Sequence, residues 1–239
     1  MAVIQTLEQA VNKIEDGMSI MVGGFLGVGA PLKMIDTLVD KNTKNLTLIS
    51  VVGCYPGGGF DIGKLTANKQ IKKFIGAHIG TDPEIGKQYN SGEMEVEVEF
   101  NPMGTWIERI RAGGAGLGAI VTATGLGTEV EEGVEKIVVN GKEFLLYPPL
   151  RANVAIIKAF RADKNGNLQY RGTSMGCNPT LATAADIVIA EVDEIVEVGE
   201  INYNDVGTPG IFVDIIVQGH TFEERTKIYE DLWIKTNRL

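Results

Sequence analysis

Four glycines, Gly23, Gly24, Gly27 and Gly29, fall within seven residues of one another. They follow the short apolar run Ser19–Val22 and precede Pro31, which opens a helical pattern with Leu32, Ile35, Leu38 and Val39 on one face. Strand, glycine loop and returning helix make the opening unit of an α/β sheet. In open sheets of that kind ligands bind beyond the carboxyl ends of the strands. Glycine lets the backbone approach a ligand closely and reaches positive φ without penalty. The helix start adds unpaired N–H groups and a positive dipole end, which suits an anion such as phosphate or carboxylate. The same residues also serve as a tight strand-to-helix connection with glycines for packing, because neither the dinucleotide fingerprint nor the P-loop ending is present.

The rest of the chain continues the alternation. Thr6 and Gln9 form a capping-box pattern for a helix to about Glu15. Leu46–Val52 reads as a buried strand that empties into a second glycine-rich loop, residues 53–59. Gln70–Ile79 reads as a strand, and Pro83 starts a helix. Glu93–Phe100 alternates glutamate with apolar residues, a strand with one solvated face. Pro102 opens a helix that turns Trp106, Ile107 and Ile110 inward. Asn140-Gly141 and Asn165-Gly-Asn167 mark hairpins, and Pro179–Ala185 (helix), Ile187–Val192 and Ile211–Val217 (strands) complete the pattern. The expected fold is α/β, an open and mostly parallel sheet flanked by helices with added β-hairpins, and residues 1–239 form a single domain.

A formal charge of −9 argues against a nucleic-acid or anionic-membrane surface. Residues 1–6 carry no basic leader, and no apolar run approaches the roughly 18 residues of a membrane span, so a cytoplasmic protein is expected. Cys54 and Cys177 lack C-x-x-C or metal-ligand spacing, which suits reduced thiols. His78 and His220 stand outside any metal or nucleophile motif, and no G-x-S-x-G elbow occurs. The chain therefore offers glycine loops without an evident nucleophile and without a metal site.

Asp16, Gly17, Ile20, Met21, Val22, Gly23, Gly24, Phe25, Gly29 and Pro31 together resemble the signature of the family I coenzyme A transferases, in particular of their A (alpha) subunits. The likeness continues through residues 79–84, 91–96, 108–116, 124–128, 131–133, 150–152 and 208–210. Its pattern is closest to the acetate/butyrate–acetoacetate (3-oxoacid) type. The resemblance implies a chain that moves CoA between a short-chain acyl-CoA and a 3-oxo acid such as acetoacetate. Such enzymes use a glutamate of a Ser-Glu-Asn-Gly motif in the B (beta) subunit, which passes through a glutamyl-CoA thioester. No Ser-Glu-Asn-Gly occurs here, so no catalytic residue is expected in this chain.

By this resemblance Gly23, Gly24, Phe25, Leu26, Gly27, Val28 and Gly29 form the CoA and oxyanion loop, with coenzyme A as substrate and no cofactor. The implied partners are a B subunit, in a heterodimer or a pair of them, with acyl-CoA and carboxylic acid substrates. Three departures from the family pattern mark candidate pocket residues: Val51, Val52 and Gly53 where relatives carry Asn, Met103 and Gly104 where they carry Gln-Gly, and Cys177 and Asn178 in place of Phe-Asn after a lost Asn. Each removes an amide, which suits another acid, such as a longer or substituted 3-oxo acid, as well as drift at tolerant positions. Transferases for 3-oxoadipate or glutaconate, and a non-catalytic acyl-CoA-binding module, are the alternative readings. Arg109 and Arg111 read as helix-surface or interface charges.

Overall fold

The computed structural model describes residues 2–91 and 96–238. Along them lie β1 (Val3–Gln5), α1 (Leu7–Val11), β2 (Ser19–Val22), α2 (Leu32–Lys41), β3 (Leu46–Ile49), α3 (Gly63–Ala67), β4 (Ile71–Gly76) and α4 (Pro83–Ser91). They are followed by β5 (Glu97–Phe100), α5 (Met103–Ala115), β6 (Ile120–Thr122), β7 (Glu135–Val139), β8 (Lys142–Tyr147) and β9 (Ala152–Asp163). The chain ends with β10 (Leu168–Gln169), α6 (Asn178–Leu181), β11 (Ala185–Val196), β12 (Ile215–Gln218) and α7 (Phe222–Lys235). Part of the expected strand Glu93–Phe100, and of the family segment 91–96, lies outside the described residues.

The main sheet has the order β1-β12-β11-β9-β2-β3-β4-β5. Every neighbouring pair along that path is parallel, and β10 adds an antiparallel edge to β9. A separate antiparallel sheet, β6-β8-β7, holds the hairpin whose turn residues Asn140 and Gly141 have φ of 52° and 74°. The expected mostly parallel α/β sheet with hairpins is what the chain forms. The Thr6 capping box is present with both reciprocal bonds, although its helix stops at Val11.

Both faces of the sheet are covered, so its strands are apolar at successive positions rather than at alternate ones. Ile20, Val22, Leu46 and Leu48 pack against Met34, Ile35 and Leu38 of α2, Leu65 of α3 and Ile85 of α4. Met21, Ile49, Ala155 and Ile157 face the other way, toward Trp106 and Ile110 of α5 and Leu181 of α6. Burial of one such Ile or Leu side chain is worth roughly 1.5–3 kcal/mol.

Two elements that the sequence does not announce, β9 and α7, bear on the site. β9 is central, pairing with both β2 and β11, yet Lys158 interrupts its apolar run. Lys158 is buried and its Nζ donates to Asp193 Oδ1 at 2.5 Å and to the Ala159 carbonyl at 2.6 Å. The other Asp193 oxygen takes Arg225 of α7. Burial pulls the Lys158 ammonium below its ordinary range, against the pull of Glu191 and Asp193. The second element is α7, which opens on a full capping box from Thr221 and Glu224. Removing one member of such a buried ionic cluster leaves the others uncompensated. Asp193→Ala is therefore expected to cost about 3–5 kcal/mol in urea unfolding at neutral pH. A cost under about 1 kcal/mol, the worth of an exposed pair, would contradict this account.

Candidate functional site

β2 ends in the middle of the sheet, where the strand order reverses: β3, β4 and β5 run to one side, and β9, β11 and β12 to the other. An open sheet leaves its crevice at such a point. Residues 23–29 sit at its mouth. Gly23 extends the pairing of β2 by donating its N–H to the Ile156 carbonyl at 2.9 Å. Phe25 and Val28 then exchange both backbone hydrogen bonds, at 2.9 and 3.0 Å, which closes a two-residue hairpin. Leu26 (φ 50°) and Gly27 (φ 85°) between them are both left-handed, the conformation of a type I′ turn. Holding Leu26 there costs about 1–2 kcal/mol, so the surroundings must fix it. The turn exposes the side chains of Phe25 and Val28. Among the described residues, the N–H groups of Leu26 and Gly27 donate to no protein acceptor.

Asn178 at the start of α6 is the principal anchor. Fully buried, it accepts the Lys158 N–H at Oδ1 (3.0 Å). Its Nδ2 faces the carbonyls of Gly29 (3.3 Å), Ser174 (3.1 Å) and Met175 (3.2 Å). The approach is so close that a Cβ on Gly23 would stand 1.8 Å from Asn178 Oδ1, and one on Gly29 2.3 Å from the Ser174 carbonyl. These two glycines are therefore required for packing as well as for the turn. Gly27 is held by its carbonyl, which accepts the Ala30 N–H at 3.1 Å and the Tyr229 hydroxyl at 2.5 Å.

The helix after the loop is not a vacant anion site, and here the structure corrects the sequence expectation. α2 begins at Leu32 with Pro31 as its cap, and the Met34 N–H in its first turn donates to Glu191 Oε2 at 2.9 Å. Burial drives the Glu191 carboxyl up to about 7 even though Lys158 and the Met34 amide draw it down. An internal acid thus already occupies the helix end. Within the loop itself, the N–H groups of Leu26 and Gly27 in the I′ turn remain as donors.

The candidate pocket residues separate. Val52 and Gly53 line a cavity of about 10 Å³, room for roughly one water, together with Gly23, Gly24, Gly27 and Asp61. Gly53 donates to the His78 carbonyl at 2.8 Å, and a Cβ there would press on Asp82 at 2.8 Å. Val51 does not line the cavity but packs in the apolar cluster of Trp106. Cys177 is half-buried and packs against the same apolar cluster as Leu26 of the loop. Met103 and Gly104 are exposed at the start of α5, past β5, roughly 14 Å from β2 by strand spacing.

Three further findings bear on the chemistry. Burial raises the Cys177 thiol, and burial together with Asp82 and Asp61 raises the Cys54 thiol, so neither is an activated thiolate at neutral pH. Arg109 is buried, not a surface charge: it donates to Glu99 at 2.7 Å and to Asn101 at 2.6 Å, tying α5 to β5. Glu99 is accordingly no solvated bystander, whereas Arg111 is exposed as expected. Asp61, which the sequence did not single out, stands in a glycine-rich loop at φ 44° and accepts the N–H groups of Tyr55 (3.1 Å) and Gly63 (3.4 Å). Burial lifts its carboxyl to about 7.

Two outcomes follow from this geometry. Gly23→Ala is expected to destabilise the chain by about 1–3 kcal/mol in denaturant unfolding, through overpacking on Asn178, and an unchanged midpoint would contradict the contact. Asp61, raised from 3.8 to about 7, binds its proton more tightly folded than unfolded. Its stabilisation is full below pH 3.8 and lost as pH rises toward 7, by up to about 1.4 kcal/mol per pH unit. Glu191 acts in the same direction, so Asp61→Asn should flatten part of the fall in stability between about pH 4 and 7. Identical slopes for the two proteins would refute the assignment.

Residues 4–219 match the model of the coenzyme A transferase family. The chain is 49% identical to the acetoacetyl-CoA:acetate/butyrate CoA transferase alpha subunit of Clostridium acetobutylicum, over 85% of this chain and 92% of that protein. It is 45% identical to the acetate CoA-transferase subunit alpha of Escherichia coli K12, over 90% and 96%. Among solved structures, the acyl-CoA transferase of Escherichia coli O157:H7 shares the fold with a TM-score of 0.82 at 24% identity, over 91% of this chain and 47% of that one. This chain thus spans about half the length of that enzyme. The glutaconate coenzyme A-transferase of Acidaminococcus fermentans shares the fold with a TM-score of 0.77 at 21% identity, over 91% and 75%. No helix of the described residues is long and apolar enough to cross a membrane. With the family model covering most of its length and alpha subunits among its relatives, the chain belongs to the coenzyme A transferase family, as an enzyme chain of the alpha-subunit type.

Proposed function

We propose that this chain is the alpha subunit of a transferase that moves CoA between a short-chain acyl-CoA, acetyl or butyryl, and a 3-oxo acid such as acetoacetate. The observation that carries the reading is the I′ turn at the switch point, in which the N–H groups of Leu26 and Gly27 donate to no protein acceptor among the described residues. Two fixed amides beside each other can receive a carbonyl oxygen and hold it as negative charge develops. The names of the relatives point to the same acids.

The chain supplies no nucleophile for this chemistry. Its thiols are raised and Ser-Glu-Asn-Gly is missing from its sequence. A beta subunit is taken to provide a glutamate. Its carboxylate attacks the acyl-CoA carbonyl and CoA thiolate leaves, giving a mixed anhydride. The thiolate then attacks the glutamyl carbonyl and releases the first carboxylate, which leaves a glutamyl-CoA thioester. The acceptor acid reverses both steps. Each step passes through a tetrahedral oxyanion, and stabilising it is the task assigned to the turn. Coenzyme A enters as substrate, and thioester and carboxylate exchange needs no prosthetic group.

A second reading concerns the acid. Val52 lines the cavity beside the turn, in the stretch Val51–Gly53 where the family pattern carries Asn followed by Asp or Asn, so a polar side chain is replaced there by an apolar one. An apolar group there favours a longer or substituted 3-oxo acid over acetoacetate, because a pocket that loses a polar contact changes its preference. Met103 and Gly104, distant from the turn, are not used in this argument.

Co-expression with the beta subunit of the same enzyme tests the proposal. The purified pair should transfer CoA, neither chain should do so alone, and acyl-CoA treatment should add the mass of CoA to a glutamate of the partner. Transfer by this chain alone, or a pair inactive with every short-chain acid, would contradict it. In the same assay an acyl panel separates the acids: a preference for acetoacetate would remove the second reading.

A further inference from the structure

We propose that Tyr229, on the helix that follows the family-matched region, is a positioning residue for the glycine turn. This inference rests on the reading that the turn handles the reacting carbonyl. The family model ends at residue 219, whereas α7 begins at Phe222. None of the residues of α7 is fully buried, although Ile228 and Tyr229 pack half-buried against the core. The helix also makes specific polar and aromatic contacts with the site. The Tyr229 hydroxyl donates to the Gly27 carbonyl at 2.5 Å. The Tyr229 ring meets Phe60 edge-on, at 5.7 Å between centroids, and Phe60 fills the space left by the absent side chain of Gly27. One turn of helix earlier, Arg225 pairs with buried Asp193 and so fixes the height of α7 on β11.

The consequence is local to one peptide plane. The Gly27 carbonyl and the Val28 N–H belong to the same peptide unit. Tyr229 holds its oxygen end, with help from the Ala30 N–H, while the Phe25 carbonyl holds its nitrogen end. A peptide clamped at both ends cannot flip, and fixing it holds closed the Phe25–Val28 hairpin in which the Leu26 and Gly27 N–H groups sit. Leu26 in a left-handed conformation stores strain that opening of that hairpin would release. Tyr229 contributes no group to the reaction. Its effect is to keep two donors aimed at one point, a property expressed in the transition state rather than in substrate binding.

Tyr229→Phe keeps the ring and its contact with Phe60 and removes only the hydroxyl. Thr236→Ala is the comparison, because it deletes another hydrogen bond at the end of α7, between the Tyr55 hydroxyl and Thr236 Oγ1 at 3.1 Å, which reaches none of residues 23–29 directly. Two measurements are made on the full chain assembled with its beta subunit: steady-state kinetics, and amide hydrogen exchange at Val28 and Ala30. For Tyr229→Phe the expected result is a fall in kcat of about five- to ten-fold, the size of one lost neutral hydrogen bond. KM for acyl-CoA should move less than about two-fold, and exchange at Val28 and Ala30 should be about five- to ten-fold faster. Thr236→Ala should leave both readouts at the wild-type value. Equal effects of the two substitutions, or unchanged exchange in Tyr229→Phe, would overturn the proposal. Faster exchange with unchanged kcat would also overturn it. An unmodified pair that transfers no CoA would refute the functional reading instead, and the exchange data would then report on the clamp alone.

Discussion

The arrangement depends on one amide. Asn178 connects β9, the glycine loop and the turn before α6 with a single fully buried side chain. Its Oδ1 takes the Lys158 N–H just past the last pairing of β9 with β2, where the two strands part. Its Nδ2 meets the carbonyl of buried Gly29, and leaving such a carbonyl without a donor costs about 1–3 kcal/mol. The glycines at 23 and 29 exist in part to admit that side chain. The loop is therefore rigid because it is packed. A rigid loop can keep N–H groups unpaired without collapsing onto them.

Charge organises the next layer. Lys158, Glu191, Asp193 and Arg225 form a buried group directly behind the loop. Glu191 uses the start of α2 as its own anion site, and Lys158 and Arg225 share Asp193. A buried ionic group of this kind adds little net stability but makes wrong arrangements expensive. In this chain it fixes the relative positions of β9, β11, α2 and α7, the four elements that surround the turn. The small antiparallel sheet and the exposed start of α5 take no part in it.

Local signals in the sequence were legible where the physics is local. The Thr6 capping box, the strand Ser19–Val22, the Asn140-Gly141 turn and the apolar face of α2 all rest on neighbours a few residues apart. What the sequence hid was non-local. The acid at the start of α2 comes from 157 residues away, and Asn178 reaches Gly29 across 149. β9 was obscured because Lys158 reads as a surface residue until Asp193 is placed beside it. Arg109 was misread for the same reason, since Glu99 and Asn101 face it only once β5 and α5 have packed. α7 is the exception: Thr221 and Glu224 carry the same local signal as Thr6 and Gln9.

The central claim is that the N–H groups of the I′ turn act on the reacting carbonyl. Replacing the Leu26 peptide bond by an ester removes that one N–H and leaves every side chain in place. Gly53-Cys54 offers a ligation junction for joining a synthetic segment 1–53 to the remainder of the chain. In the assembled enzyme the account predicts a fall in kcat of about 100-fold, the usual cost of one lost oxyanion donor, with assembly and KM for acyl-CoA little changed. A kcat within about two-fold of the all-amide enzyme would contradict it.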